Sequence, residues 1–121
     1  MKTQSAKAKG RNLQKTVVSL LLDTFPELTS NDVRSTSMGC QGVDVSLSEQ
    51  ALHLFRYGVE CKSRKSYAIY KDFQQAVENS KERVPLLVIK QNRSRPLAVL
   101  DLDHFMELVR GNNKGIRDAG G

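Results

Sequence analysis

The stretch GVDVSLSEQALHLFRYGVECKS, residues 42–63, sets the tightest limit on what this chain can fold into. Val43, Val45 and Leu47 alternate with Asp44 and Ser46, and Val59 and Cys61 alternate with Glu60 and Lys62. A period of two is a strand signal, because successive side chains of a strand point to opposite faces. Each run therefore buries one face and carries charge on the other. An unpaired charge beside a core costs several kcal/mol, a large part of the net stability of a domain, so these three charges need partners.

If the two strands pair, Asp44, Glu60 and Lys62 converge above one edge of a sheet. Two neighbouring carboxylates repel unless a cation lies between them, and hard oxygen ligands select Mg2+ or a similar ion such as Mn2+. A lysine beside that ion can orient or deprotonate a water and offset the charge of a reacting phosphate. These are the parts needed to hydrolyse a phosphodiester. The simpler alternative is an ion pair of Lys62 with Asp44 or Glu60, which leaves one carboxylate unmatched.

The rest of the chain frames these strands. Leu13, Val17, Leu20 and Leu21 recur at helical spacing between Gly10 and Thr24, and Phe25-Pro26 closes that segment. A short strand is expected at 33–37, a turn at 39–42 and a strand at 43–47. Ser48 and Glu49 then start a short helix with Ala51, Leu54 and Phe55 on its apolar side. The next strand covers 57–62, and Ile69, Phe73, Ala76 and Val77 share one face of a second long helix. PLLVIKQ and PLAVLDL read as two strands joined by NRSR, and DHFMELVR as a last helix. The order α-β-β-α-β-α-β-β-α implies an α/β fold with a mixed central sheet flanked by helices. Residues 1–9 are expected as a flexible basic arm, 10–110 as a single domain and 111–121 as a disordered Gly-rich tail.

Composition narrows the function. At 121 residues, 39% hydrophobic and 26% charged, the chain can bury a core without disulfides or metals. Cys40 and Cys61 do not make a disulfide framework, no Cys/His cluster has zinc spacing, and His53 and His104 lack a partner motif. No apolar run approaches a membrane span, and the Lys-rich start lacks the apolar stretch of a signal peptide, so a cytoplasmic protein is expected. The net charge is +6, and Lys2, Lys7, Lys9, Arg11 and Lys15 all precede the first acidic residue, Asp23. Nucleic acid is the commonest partner of such a surface. Lys65, Lys71, Arg93 and Arg95 extend it on either side of the proposed centre.

At this spacing the VD of Val43-Asp44 and the ECK of Glu60-Cys61-Lys62 resemble the signature of the PD-(D/E)XK nuclease superfamily, an Asp on one strand and Glu-x-Lys on the next. GRNLQ, DVRSTSMG, VECK and PLLVIKQNRSRPLAVL look like small phage-encoded members related to Holliday junction resolvases. The resemblance covers residues 10–109. It implies a restriction-endonuclease-like core and a Mg2+- or Mn2+-dependent endonuclease that acts on DNA, branched DNA being preferred, as a homodimer. Asp44 and Glu60 would be metal ligands together with the backbone carbonyl of Cys61, and Lys62 would act on the attacking water. Gln14 stands on the first helix where many members carry an acid, and would offer a metal or water contact through its amide oxygen without negative charge; Val43 replaces the proline before the aspartate. Gln75, or Gln74, would fill the place of a glutamine that some members carry on the following helix. Arg11, Lys15, Arg34, Ser35, Ser37, Lys65 and Lys71 are the candidate DNA-binding residues. The alternative function is a module that keeps the nuclease fold and binds DNA without catalysis, with Gln14 as the sign of decay.

Overall fold

The computed structural model describes residues 5–36 and 41–120. Helix α1 (Ala6–Thr24) is capped by Ser5, whose hydroxyl accepts from the Ala8 N–H at 3.1 Å. It therefore starts four residues before Gly10, inside the stretch expected as a flexible arm. The reason is local: a serine cap followed by Ala6, Lys7, Ala8 and Lys9 favours helix strongly enough to absorb the roughly 1 kcal/mol cost of Gly10. Leu13, Gln14, Val17 and Leu21 form its buried stripe.

Strands β1 (Val33–Ser35) and β2 (Val45–Leu47) pair antiparallel, with Val33 opposite Leu47 and Ser35 opposite Val45. Both are shorter than expected. Helix α2 (Glu49–Leu54) follows, its cap Ser48 accepting from the Ala51 N–H and donating to Asp32 Oδ1 at 2.7 Å. Asp32 also accepts from the Thr29 N–H, so one carboxylate ties the turn before β1 to the start of α2.

Strand β3 (Tyr57–Ser63) pairs parallel with β4 (Val84–Lys90), and β4 pairs antiparallel with β5 (Leu97–Val99). Helix α3 (Ile69–Ser80) connects β3 to β4. Helix α4 (Leu102–Gly120) runs across the stretch expected as a disordered tail. The element order is the one expected, and the architecture is mixed α/β. No helix among the described residues is long and apolar enough to cross a membrane.

One expectation fails. Strands β2 and β3 do not form a ladder; the β1-β2 pair and the β3-β4-β5 sheet are separate. The break lies at Asp44. Its backbone N–H donates to the Val59 carbonyl at 2.8 Å, and its Oδ2 then accepts from the Cys61 N–H at 2.7 Å. A side-chain oxygen thus takes the place that a β2 carbonyl would hold in a continuous ladder, so pairing stops after one backbone bond.

The two faces of the β3-β4 sheet differ. Val59, Cys61 and Val88 pack with Leu13, Val17 and Leu21 of α1. Leu87 and Ile89 pack with Ala76 of α3 on the other face. By strand alternation Gly58, Glu60 and Lys62 lie on the α3 side. Helix α3 approaches β3 so closely that a Cβ on Gly58 would lie 2.3 Å from Ser80 Oγ. Ser80 Oγ bonds the Gly58 carbonyl at 3.1 Å and sets the height of the last turn of α3 over β3.

Candidate active site

The last turns of α3, the loop at Gln41 and Gly42, and the facing edge of β3 enclose a cleft of about 490 Å3 lined by Asp44, Glu60, Gln75, Glu78, Asn79 and Lys81 together with that loop. Three of the sequence-derived candidates, Asp44, Glu60 and Gln75, share this one wall. Lys62 joins them from the same face of β3, its Nζ lying 3.4 Å from Glu60 Oε2. Glu60 is only 5% exposed, and its other oxygen accepts from Asn79 Nδ2 at 3.1 Å. Its charge is thus held by a cation on one oxygen and an amide on the other. This arrangement includes the ion pair of Lys62 and leaves Asp44 as the unmatched carboxylate.

Asp44 is the electrostatically exceptional group. Burial pushes its carboxyl up to about 6 from the ordinary 3.8; the Cys61 N–H pulls it down, Glu60 pushes it up again, and Lys62 partly offsets that. The negative field of Glu60 reaches Asp44, so the two acids share one electrostatic neighbourhood. Only Oδ2 of Asp44 has a hydrogen-bond partner among the described residues. In a strand the N–H and C=O of one residue point the same way, so the Cys61 carbonyl is turned toward the Asp44 edge with its N–H. Two carboxylates therefore border one polar cleft, hard oxygen donors suited to Mg2+ or Mn2+. Among the described residues no group of three or more His, Cys, Asp or Glu could hold an ion by itself, so a cation here would complete its shell with water.

The Cys61 thiol lies apart from this chemistry. It is buried in the α1-side core, and burial, followed by the fields of Asp44 and Glu60, raises its pKa, which keeps it a protonated packing group. Gln14 is also buried, on the inward face of α1, and does not line the cleft. Gln74 lines a neighbouring cleft with Arg64, Lys71 and Asp72, which Gln75 and Glu78 join to the first.

The candidate DNA-binding residues divide. Lys71 lies in that neighbouring cleft. Arg11 and Lys15 are exposed on α1, which covers the opposite face of the sheet from α3; Arg34 is exposed and Ser35 half-buried on β1. Lys65, Arg93 and Arg95 are exposed beyond the ends of β3, β4 and β5, with Gln91 Nε2 donating to the Lys65 carbonyl. Ser37, Cys40 and Lys2 lie outside the described residues.

The sequence reading missed Glu78, Asn79 and Lys81. Gln75, Glu78 and Asn79 stand at i, i+3 and i+4 and so share one helix face; once Gln75 is placed at the site, the other two follow. Helix α3 also carries an ion pair between a buried acid and an exposed arginine, Arg64 Nη1 to Asp72 Oδ1 at 2.9 Å, which anchors its first turn to the end of β3. Tyr67 braces the same end, its hydroxyl accepting from the N–H groups of Arg64 and Lys90.

No protein-family model, curated protein or solved structure matches this chain.

Proposed function

We propose that this chain is a metal-dependent DNA endonuclease of the PD-(D/E)XK type. The observation that carries this reading is the shared cleft of Asp44 and Glu60 with Lys62 paired to Glu60. Asp44, Glu60 and the Cys61 carbonyl would hold Mg2+ or Mn2+. When bound, such an ion supplies Lewis acidity to a phosphoryl oxygen and a water of lowered pKa. Glu60 sets the position of the Lys62 ammonium, whose donors hold the attacking water and face charge that develops on the phosphate. Asn79 keeps Glu60 in one rotamer, and Gln75 presents an amide to the same space. In-line attack of water on phosphorus would break the bond to the 3′ oxygen; the water would lose its proton to solvent and the leaving oxygen would take one from solvent, giving a 3′-hydroxyl and a 5′-phosphate.

Branched DNA such as a four-way junction is the proposed substrate, met in the cytoplasm. Paired cuts across a junction need two centres and hence a symmetric homodimer. The test compares cleavage of four-way, linear, nicked and single-stranded DNA with and without Mg2+. Wild type should cut the junction only with the ion, and Asp44→Ala and Lys62→Ala should abolish cutting while junction binding persists. Equal cutting by those variants would refute the reading.

A second reading is favoured by the engagement of both Glu60 oxygens, which neutralises that acid without a metal. Under it the chain binds DNA and does not cut it. Calorimetric titration with Mn2+ in the presence of DNA, corrected for the ion that the same DNA takes up alone, separates the two, since uptake by the protein belongs only to the nuclease.

A further inference from the structure

We infer that the cleft next to the Asp44–Glu60 centre is an anion subsite that seats a neighbouring phosphate of the same DNA strand, held by Arg83 and Lys81. The inference rests on the nuclease reading for its substrate. It stands on three features of the chain's own geometry.

The first is continuity. A cleft of about 330 Å3 lined by Thr36, Gln41, Ser46, Asn79, Lys81 and Arg83 shares Gln41, Asn79 and Lys81 with the catalytic cleft. A strand lying across Asp44 and Glu60 therefore enters it without crossing a ridge.

The second is charge. The catalytic cleft carries Asp44, Glu60 and Glu78 beside the shared Lys81, whereas this one adds Arg83 to Lys81 and has no acid among its lining residues. On the opposite flank Arg64 is taken up by Asp72, which leaves Lys71 as that flank's cation without an ion pair among the described residues. The groove is therefore polar along its length, with its stronger anion-binding end at Lys81 and Arg83.

The third is the state of these two side chains. Arg83 Nη1 is buried with no hydrogen-bond partner among the described residues. A buried donor left unmatched is costly, and a small turn of the half-buried Arg83 side chain toward a phosphate in the cleft it lines would give that donor an acceptor; the guanidinium fork fits phosphate in particular. Lys81 ends α3 at φ 53° and ψ −110°, a backbone region that suits glycine. A glycine there would relax the chain and remove the ammonium. Lysine at a strained position is what a site that needs the cation would carry.

The test measures binding of a fluorescein-labelled DNA duplex and four-way junction in EDTA over a range of salt, so that it does not depend on cleavage. Arg83→Ala and Lys81→Gly should each weaken binding about tenfold at low salt and lower the slope of log affinity against log salt by about one. Lys81→Gly should at the same time raise the melting temperature, a combination that a merely structural lysine would not give. It also keeps the proposal falsifiable if Arg83→Ala fails to fold. Affinity and salt slope unchanged in Lys81→Gly would overturn the subsite. Cleavage is read separately on wild type: weakened binding in both variants with no cutting by wild type would uphold the subsite and sink the nuclease.

Discussion

The two faces of β3 are built to opposite rules. Toward α1, Val59 is fully buried and Cys61 nearly so, in a continuous apolar cluster. Toward α3, the same strand presents Gly58, Glu60 and Lys62, with Ser80, Asn79 and a polar cleft against them. The apolar face gives stability by removing hydrocarbon from water. The polar face consumes some of it, because Glu60 is buried at the cost of an ion pair and an amide, and Asp44 is held where its ionised form is disfavoured. The contrast shows how one seven-residue strand combines an apolar and a polar side: the alternation needed for packing is the same alternation that keeps Glu60 and Lys62 together.

Substitutions on the two faces should separate these roles. The largest effect is expected from Asp44→Ala, which should reduce Mg2+-dependent junction cleavage by on the order of 10^3-fold or more with the fold retained; a variant that cuts as wild type does would break the division. Gly58→Ala drives a Cβ into the Ser80 side chain and backbone, and should destabilise by about 2–3 kcal/mol in urea unfolding while also weakening cleavage, since it lifts Asn79 off Glu60. On the apolar face, Val59→Ala should cost about 2 kcal/mol by the same measurement with cleavage per folded molecule preserved. A Val59→Ala protein of full stability but lost cleavage would reverse the assignment of the faces.

The smallest effect concerns pH. Because the folded-state pKa of Asp44 is raised above its ordinary value, its contribution favours the fold below about pH 4 and is lost as pH rises through about 6. Metal-free Asp44→Asn keeps an oxygen for the Cys61 N–H and removes the charge. It should therefore be more stable than wild type by about 1 kcal/mol at pH 7.5 and equal to it near pH 4, as read by thermal melts at both pH values.

Much of this was legible in the residues. The element order follows from the two periodicities, and strand alternation anticipates Glu60 and Lys62 on one face of β3; Asp44 reaches the same wall from outside β2, without the strand pairing that was expected. The start of α1 at Ala6 is also readable from Ser5, whose hydroxyl is a capping group, although the lysines around it suggest a solvated basic arm. Other features had no local signal. That Asp44 would replace a rung of the ladder depends on where Cys61 stops in space, a tertiary fact. The positive φ of Lys81 is invisible because nothing in lysine itself favours it. Arg83 looks like any surface arginine until its neighbours are known, and Gln14 occupies the helix position anticipated for a metal contact yet lines no part of the cleft.

The most direct measurement is the carboxyl titration of Asp44 by carbon-detected NMR, with and without saturating Mg2+, in wild type and in Glu60→Gln. If the two acids border one cation, Asp44 titrates near 6 in the free protein, falls well below that with Mg2+, and responds much less to Mg2+ in the variant. A titration midpoint that Mg2+ leaves in place in wild type would contradict the shared centre.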